Sequence, residues 1–504
     1  MSEALPGMPP PPPPATPRRA AVAVLYRRVG AGAEVFWVKR EKALRFAGGF
    51  YAFPGGKVDR ADQEVPVRGA SGEEAAMIVA AARELLEETG VLVAEGAEVL
   101  GPERLKEMRR ALLAEERKWG ELLTEAGLAL RAEDFRPAGR WITPPYVPVR
   151  FDTRFFLVEA PPYAVAELWP GELTEAAWVE PKAALERWGE GTALLHAPGV
   201  YVLQVLAQFD TPEAVLARLE APPHCPDGIA TLVEFQQGIR IVPMVTPTLP
   251  PATHTNGYVL GHGELLIVDP GAEDVRELEK LRELLSILEG EGMRPVAVVL
   301  THHHGDHVGG VKTVKEQLGL PLWCHARTAD RLDVPTERLL QDGEVLELAG
   351  SLPQRWRVLH TPGHARGHLC LVDERTRAAV VGDMVASVST IVIDPPEGNM
   401  RDYLAQLARL RDWPVTTMYP AHGGPIPDGP GKLQEYLDHR AARATRILEA
   451  LPPSGATLVQ VVESAYADTP PFLHPVAQRS ALATLEKLVE EGLVRVEQDS
   501  YFRA

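Results

Sequence analysis

Cysteine is scarce. Cys225, Cys324 and Cys370 are spread thinly over a chain of 504 residues. They make neither a disulfide framework nor a metal-binding spacing, so they read as small buried hydrophobes in a reducing compartment. No apolar run approaches the roughly 20 residues that span a bilayer, which excludes a membrane-spanning helix. An export signal is missing too. Where its apolar stretch would lie, the N-terminus carries Pro9 to Pro14, a tract suited to a disordered or polyproline II tail. The expected location is therefore cytoplasmic. Basic residues are in deficit: 52 Lys and Arg against 69 Asp and Glu leave a net charge of −17. That balance argues against general adhesion to nucleic acid, although a local basic groove is compatible with it.

The length exceeds one ordinary core and predicts roughly two to four domains. Composition shifts and turn-rich stretches divide the chain into a tail (1–17), a first domain (18–209), a linker (210–237), a second domain (238–427) and a mainly helical end (428–504). Nothing in the sequence sets the oligomeric state.

In the first domain, Ala20 to Tyr26 and Val35 to Arg40 read as strands joined by a Gly-containing turn. Ser71 can cap a helix that ends in Arg83-Glu84-Leu85-Leu86-Glu87-Glu88-Thr89-Gly90-Val91. Glu84, Glu87 and Glu88 stand at i, i+3 and i+4, so three carboxylates share one face and repel unless a cation or solvent intervenes. Carboxylate-only ligation selects a hard cation, magnesium or manganese, of the kind that bridges protein carboxylates to substrate phosphates. Leu85 and Leu86 face the other way and can enter a core. A helical, charged insertion spans Pro102 to Gly127, and further strands are expected over Thr153 to Val158 and Ala176 to Val179.

These residues resemble the Nudix hydrolases. The second half of that family's signature matches Arg83 to Val91 in full. The first half departs: counting from Gly56, Asp62 stands where the family has Glu, and twenty residues separate Asp62 from Arg83 where the family has seven. The resemblance implies a Nudix α/β/α fold. In it Glu84, Glu87 and Glu88 hold Mg2+ or Mn2+, the Gly56 carbonyl assists, and Arg83 orients a glutamate by ion pairing. The reaction implied is attack of water on the diphosphate of a nucleotide derivative. Arg140 to Pro145 and Arg150 to Phe156 are similar to the branch that includes peroxisomal coenzyme A diphosphatases, which adds a coenzyme A derivative to the expected substrates. Arg150 and Arg154 can face a phosphate or only solvent. Trp141, Phe155 and Trp178 read as core aromatics.

The second domain centres on Thr301-His302-His303-His304-Gly305-Asp306-His307, behind the apolar run Val296 to Leu300. On an extended segment His302 and His304 point the same way. Asp306 and His307 lie where the chain turns into a helix expected near Val308. Two imidazoles for one metal, and a carboxylate plus an imidazole for a second, suit zinc or another first-row transition metal. Further candidates recur at predicted strand ends: His364 and His368 after Trp356 to His360, Asp383 after Ala378 to Val381, and His422 after Met418 to Pro420. Alternating strands and helices indicate a layered α/β domain.

The His-x-His-x-Asp-His core and the later elements in order resemble the metallo-β-lactamase superfamily, which implies an αββα sandwich. The resemblance assigns His302, His304 and His364 to a first metal, and Asp306, His307 and His422 to a second, with Asp383 bridging. The metals implied are two Zn2+, or Mn2+ or Fe2+. His303 takes the variable position and should point away. His360 reads as a strand end, and His368 as a substrate contact or a support for its loop. Two adjacent metals lower the pKa of a shared water towards neutrality and so make it a nucleophile. The ligands fix hydrolysis but leave ester, thioester and phosphodiester open.

Behind this domain, a helix reaching Leu451, two more over Thr457 to Ala467 and His474 to Gly492, and a hairpin around Asp499-Ser500 suggest a winged helix. A lactamase domain with such a tail resembles the β-lactamase-like protein 2 family, which includes an endoribonuclease acting on single-stranded RNA. Arg479 and Lys487 are offset by Glu486, Glu490 and Glu491, so charge favours a packing or substrate-capping role for the tail. The expectation is thus a bifunctional metal-dependent hydrolase of mixed α/β and α+β domains, acting on small nucleotide or coenzyme A derivatives. The alternative is a single-stranded RNA endoribonuclease with an accessory nucleotide-sensing domain.

Overall fold

A computed structural model describes residues 13–30, 32–44, 47–168, 171–208 and 211–504. Most of the expected proline-rich tail, and the expected boundary at Phe209 and Asp210, lie outside the described residues. The chain forms two compact units, divided between Gln237 and Gly238.

The first unit is built on a mixed sheet. Arg18–Val29 pairs antiparallel with Gly32–Arg40 and parallel with Phe151–Glu159, which pairs in turn with Arg136–Ile142. Tyr51–Ala52 and Leu173–Val179 flank Gly32–Arg40, and Gly55–Lys57 lies on the first strand. Successive side chains leave a strand on opposite faces. Accordingly Ala21, Ala23 and Leu25 meet the Gly72–Thr89 helix, whereas Val24 and Tyr26 meet Pro181–Gly189 and Ala197–Leu206 on the other face. The result is the expected α/β/α layering. The charged insertion folds into Pro102–Leu113 and Trp119–Glu125. It sends Met108, Leu112, Trp119 and Leu122 into the core beneath the Gly72–Thr89 helix. Trp141 and Phe155 are buried and Trp178 is half-buried against Phe36, as core aromatics.

Two expectations need correction. The segment read as a linker is packed into the first unit: Val215 and Leu219 of the Pro212–Leu219 helix are buried in its core. Ser71 does occupy the N-cap position, but its side chain accepts no capping hydrogen bond. Glu73 and Glu74 in the first turn complement the helix dipole instead.

The long interval between Asp62 and Arg83 also has a physical form. It holds a 3-10 turn (Arg60–Glu64), a strand (Val67–Arg68) paired with Leu130–Arg131, and about three extra helical turns ahead of Arg83. The insertion leaves the pairing across it intact. Asp62 is 1% exposed, and its two carboxylate oxygens accept from Arg83 Nε at 3.0 Å and Nη2 at 3.1 Å.

The second unit holds two sheets. In the first, Ile239–Val245, His254–Leu260, Glu264–Val268, Arg294–Val299, Leu322–His325 and Arg338–Leu340 follow one another in chain order, antiparallel and then parallel from Glu264–Val268 onward. The second runs Val345–Leu348, Gln354–His360, Leu369–Asp373, Ala379–Gly382 and Met418–Pro420. Helix Val275–Gly290 packs on the first sheet, and Met400–Asp412 and Gly429–Glu449 on the second. This is the expected αββα arrangement. The tail forms Leu458–Ala465, His474–Glu490 and a three-stranded sheet of Ala456–Thr457, Val494–Glu497 and Ser500–Arg503. It has its own apolar core and belongs to the same compact unit. Among the described residues no helix is long and apolar enough to cross a membrane.

Asp62→Ala should lower the unfolding free energy by about 1.5–3 kcal/mol, because the buried Arg83 guanidinium loses the carboxylate on Nε and Nη2 while Glu84 and Glu87 stay on Nη1. Denaturant titration of the full chain measures it, and a loss under about 1 kcal/mol would show that the pair is dispensable.

Candidate metal centres

In the second unit the ligand-bearing residues all sit just past strand ends. Strand Arg294–Val299 delivers Thr301 to His304, and a short helix, Gly305–Val308, carries Asp306 and His307. That helix starts three residues earlier than the sequence suggested. Gly271 makes room for it: a Cβ there would lie 1.9 Å from the Asp306 carbonyl oxygen, so only glycine permits this approach.

Three sets of ligand atoms converge, each within 4.8 Å: His302, His304 and His364; Asp306, His307 and His422; and His302, His307 and Asp383. The first two are the two ligand groups expected from sequence. His304 Nδ1 lies 3.0 Å from His302 Nε2 and 2.9 Å from His364 Nε2. One Asp383 oxygen lies 3.3 Å from His364 Nε2, and the other is 3.6 Å from His307 Nε2 and 3.3 Å from His422 Nε2. The carboxylate thus touches both groups, as a bridge would. His303 belongs to neither.

The outer nitrogens explain why these rings are aimed inward. His364 Nδ1–H donates to the Val392 carbonyl at 2.8 Å and His422 Nδ1–H to the His254 carbonyl at 3.1 Å. Asp269, which the sequence did not single out, governs two more. Its Oδ2 accepts from His307 Nδ1 at 2.8 Å and from Thr301 Oγ1 at 2.6 Å, and Thr301 Oγ1 lies 3.0 Å from His302 Nδ1. Asp269 holds a left-handed φ of 47° to do so. The available signal was an aspartate ending a buried strand beside the histidine-bearing one.

Burial pushes His302 and His304 well below the usual imidazole range, which leaves them neutral and able to donate lone pairs. Burial opposes charge on His307 as well, but Asp306, Asp269 and Asp383 outweigh it and hold His307 well above that range. His307 Nε2 and Asp383 Oδ1 are buried with no hydrogen-bond partner among the described residues. Two buried polar atoms without hydrogen-bond partners, among converging imidazoles and carboxylates, fit divalent transition metals.

Of the two roles left open for His368, substrate contact or loop support, its surroundings fit the support. It is fully buried, its Nε2 accepts the Asp383 N–H at 3.0 Å, and its Nδ1 bonds Thr361 Oγ1 at 2.8 Å. His360 does end its strand. It stacks on His325 at 4.1 Å and bonds the Arg366 carbonyl.

In the first unit, Glu84, Glu87 and Glu88 share one face of the Gly72–Thr89 helix, but their oxygens are drawn apart. Arg83 Nη1 donates to Glu84 at 2.9 Å and Glu87 at 3.0 Å, while Glu88 accepts the Gly55 N–H at 3.0 Å. Among the described residues they form no set with every ligand atom within 4.8 Å. Gly56 lies against Glu84: a Cβ there would be 2.2 Å from Oε1. Burial raises all three carboxyls, Glu87 to about 7 and Glu88 to about 8. A site that holds protons at neutral pH for want of positive charge fits a hard cation. Arg150 does not present a free guanidinium, since it donates to the Thr143 and Ala15 carbonyls at 2.9 Å. Arg154 is an exposed side chain on its strand.

Comparison with known proteins follows the same division. The metallo-beta-lactamase superfamily model matches residues 250–422, the beta-lactamase associated winged helix domain 457–503, and the NUDIX domain 16–118. A beta-lactamase-like protein 2 homolog of Caenorhabditis elegans is 30% identical over 48% of this chain and 80% of its own length. The chain belongs to the metallo-β-lactamase superfamily and carries a Nudix domain ahead of it. An atrochrysone carboxyl ACP thioesterase of Aspergillus chevalieri is 29% identical over 49% of this chain and 76% of its own. A NUDIX hydrolase structure from Alicyclobacillus acidocaldarius is 32% identical, covering 41% of this chain and 99% of its own, with a TM-score of 0.36. Both parts of this Nudix–lactamase chain are hydrolase domains that use divalent metals.

Asp269→Asn should weaken binding of one metal equivalent by about 10–100-fold, because the hydrogen bond that aims His307 is lost. Competition with a chelating dye measures it, and unchanged affinity would refute the role. The pH dependence has a definite sign. The Glu87 and Glu88 carboxyls, at about 7 and 8 in the fold against 4.5 when exposed, keep protons that the unfolded chain has lost. Metal-free stability should therefore fall as pH rises from about 5 to 8, and added Mg2+ should restore most at pH 8. Thermal unfolding with and without Mg2+ across that range tests this, and a metal-free profile that rises would contradict it.

Proposed function

We propose that the chain is a bifunctional hydrolase whose sites act on related small metabolites. The Nudix half would cleave the diphosphate of a nucleotide or coenzyme A derivative with Mg2+ or Mn2+. The lactamase half would hydrolyse an ester or thioester with two Zn2+, Mn2+ or Fe2+, so coenzyme A thioesters give the halves a common substrate class.

The observation that carries this reading is the pair of three-ligand sets joined through Asp383. Bound there, two divalent cations supply a water nucleophile at neutral pH and positive charge for the developing oxyanion. The chain's own residues do the positioning. His302, His304 and His364 would form one ligand set, Asp306, His307 and His422 the other, and Asp269 and Thr301 keep the rings in the ligating tautomer. In the Nudix half Glu84, Glu87 and Glu88 would hold the cation with the Gly56 carbonyl. Arg83, itself fixed by Asp62, sets the direction of Glu84 and Glu87. Arg154 is the remaining candidate for a substrate phosphate.

The naming of a relative as an acyl-carrier thioesterase supports a thioester substrate. The three cysteines are unpaired, which fits a reducing cytoplasm. The tail bears on the alternative, a single-stranded RNA endoribonuclease with a nucleotide-sensing Nudix half. Its winged helix speaks for that reading, but three of its basic side chains are already paired: Arg479 with Asp394, Lys487 with Glu491, and Arg495 with Glu497. A module that bound phosphates would keep such charges available, so small substrates are favoured.

The test uses two panels. Coenzyme A, dinucleotides and nucleoside diphosphate sugars with Mg2+ should turn over, and Glu87→Gln should abolish it. Acyl thioesters with Zn2+ or Mn2+ should be hydrolysed while labelled single-stranded RNA stays intact, and Asp306→Ala should abolish the hydrolysis. RNA cleavage lost in Asp306→Ala would overturn the thioesterase reading, and binding without turnover in the first panel would make the Nudix half a sensor.

A further inference from the structure

The C-terminal tail reaches the lactamase site through three consecutive residues. Val392 accepts the Nδ1–H of His364 at 2.8 Å, and it is the carbonyl that leaves His364 Nε2 facing the converged ligand atoms. Its neighbours on both sides are gripped by side chains from the helices behind the domain. Arg440, on Gly429–Glu449, donates to the Ile391 carbonyl. Ser480, on the winged-helix segment His474–Glu490, accepts the Ile393 N–H at 3.1 Å. Both are nearly buried, at 6% and 7% exposure, so neither bond is traded freely for water. The same stretch is tied elsewhere: Tyr436 Oη accepts the Ala386 N–H at 2.9 Å and donates to the Ser389 carbonyl at 2.9 Å, and Tyr403 Oη donates to the Met384 carbonyl at 2.7 Å. Residues 384–393 form no helix or strand of their own. Their course from Asp383 to Val392 is set by these outside bonds.

We infer that Arg440 and Ser480 are positioning residues for the three-histidine metal site. They clamp the Ile391–Ile393 strip so that the Val392 carbonyl fixes the tautomer and aim of His364. The winged helix thereby supports the hydrolase site from behind, through Ser480 on the Ile393 N–H. The inference rests on the proposed ligand role of His364.

Full-length protein with Ser480→Ala, with Arg440→Gln and with both is loaded with Zn2+ and titrated against a chelating dye, and with Co2+ for its visible spectrum. Each single change should weaken one metal equivalent by about tenfold, the pair by about a hundredfold, and the other equivalent should stay within about twofold. The Co2+ band of the weakened site should shift. Val461→Ala, in the tail's own core, should lower the unfolding midpoint without moving either affinity. Arg440 and Ser480 hold different residues of the strip, so one variant suffices if the other fails to fold. Two equivalents bound by every variant as tightly as by the unaltered chain would overturn the inference. Fewer than two in the unaltered chain would overturn the ligand reading and the inference with it.

Discussion

The second unit depends on one buried carboxylate. Asp383 is almost sealed from solvent, where burial alone would drive it to take up a proton, yet His422 and His307 beside it hold it well below the usual carboxylate range. A charge in such a place needs partners on every side, and the architecture supplies them from three other strand ends, past Val299, His360 and Pro420. The chain leaves each strand through a tight turn because Pro or Gly stands beside the polar residue, and this brings His304, His364, His307, His422 and Asp306 around one point. Outward, His364 and His422 are fixed by carbonyls and His307 by Asp269. The fold tolerates so much buried polarity because the atoms that face inward share a missing positive charge.

The first unit solves the same problem differently. Its three glutamates ride on one helix, and Arg83, pinned by buried Asp62, already balances two of them. Burial leaves Glu87 and Glu88 protonated near neutral pH, so cation entry there displaces protons and relieves repulsion. In the second unit burial keeps His302, His304 and His364 neutral, as lone-pair donors suited to a transition metal, whereas the carboxylates of the first suit a hard cation shared with phosphate. Two hydrolytic chemistries in one polypeptide therefore need no common metal.

Periodicity and spacing made much of this readable. The i, i+3, i+4 glutamates, the alternate histidines on an extended run and the later histidines and aspartate at strand ends are local patterns, and local patterns survive in one dimension. Asp269 escaped because its function comes from lying beside another strand, a neighbour that sequence separation hides. His368 was left between two roles because only packing reveals that both its nitrogens are used. The Nudix signature departs from the family in its first half, yet a strand, a turn and extra helix carry the chain out and back so that Asp62 still meets Arg83.

By itself, then, the sequence determined the chemistry: which donors are present, that they are hard in one half and imidazole-rich in the other, and that each half follows a known hydrolase pattern. Those facts reside in residue type and spacing. Tertiary structure decided which donors converge, which polar residues only hold others in place, and that the stretch read as a linker is core. It also decided the standing of the tail. Charge counts suggested a packing role, but only the meeting of Ser480 and Arg440 with the Ile391–Ile393 strip shows what is packed, since residues some fifty to ninety positions apart are joined by hydrogen bonds that no linear pattern encodes.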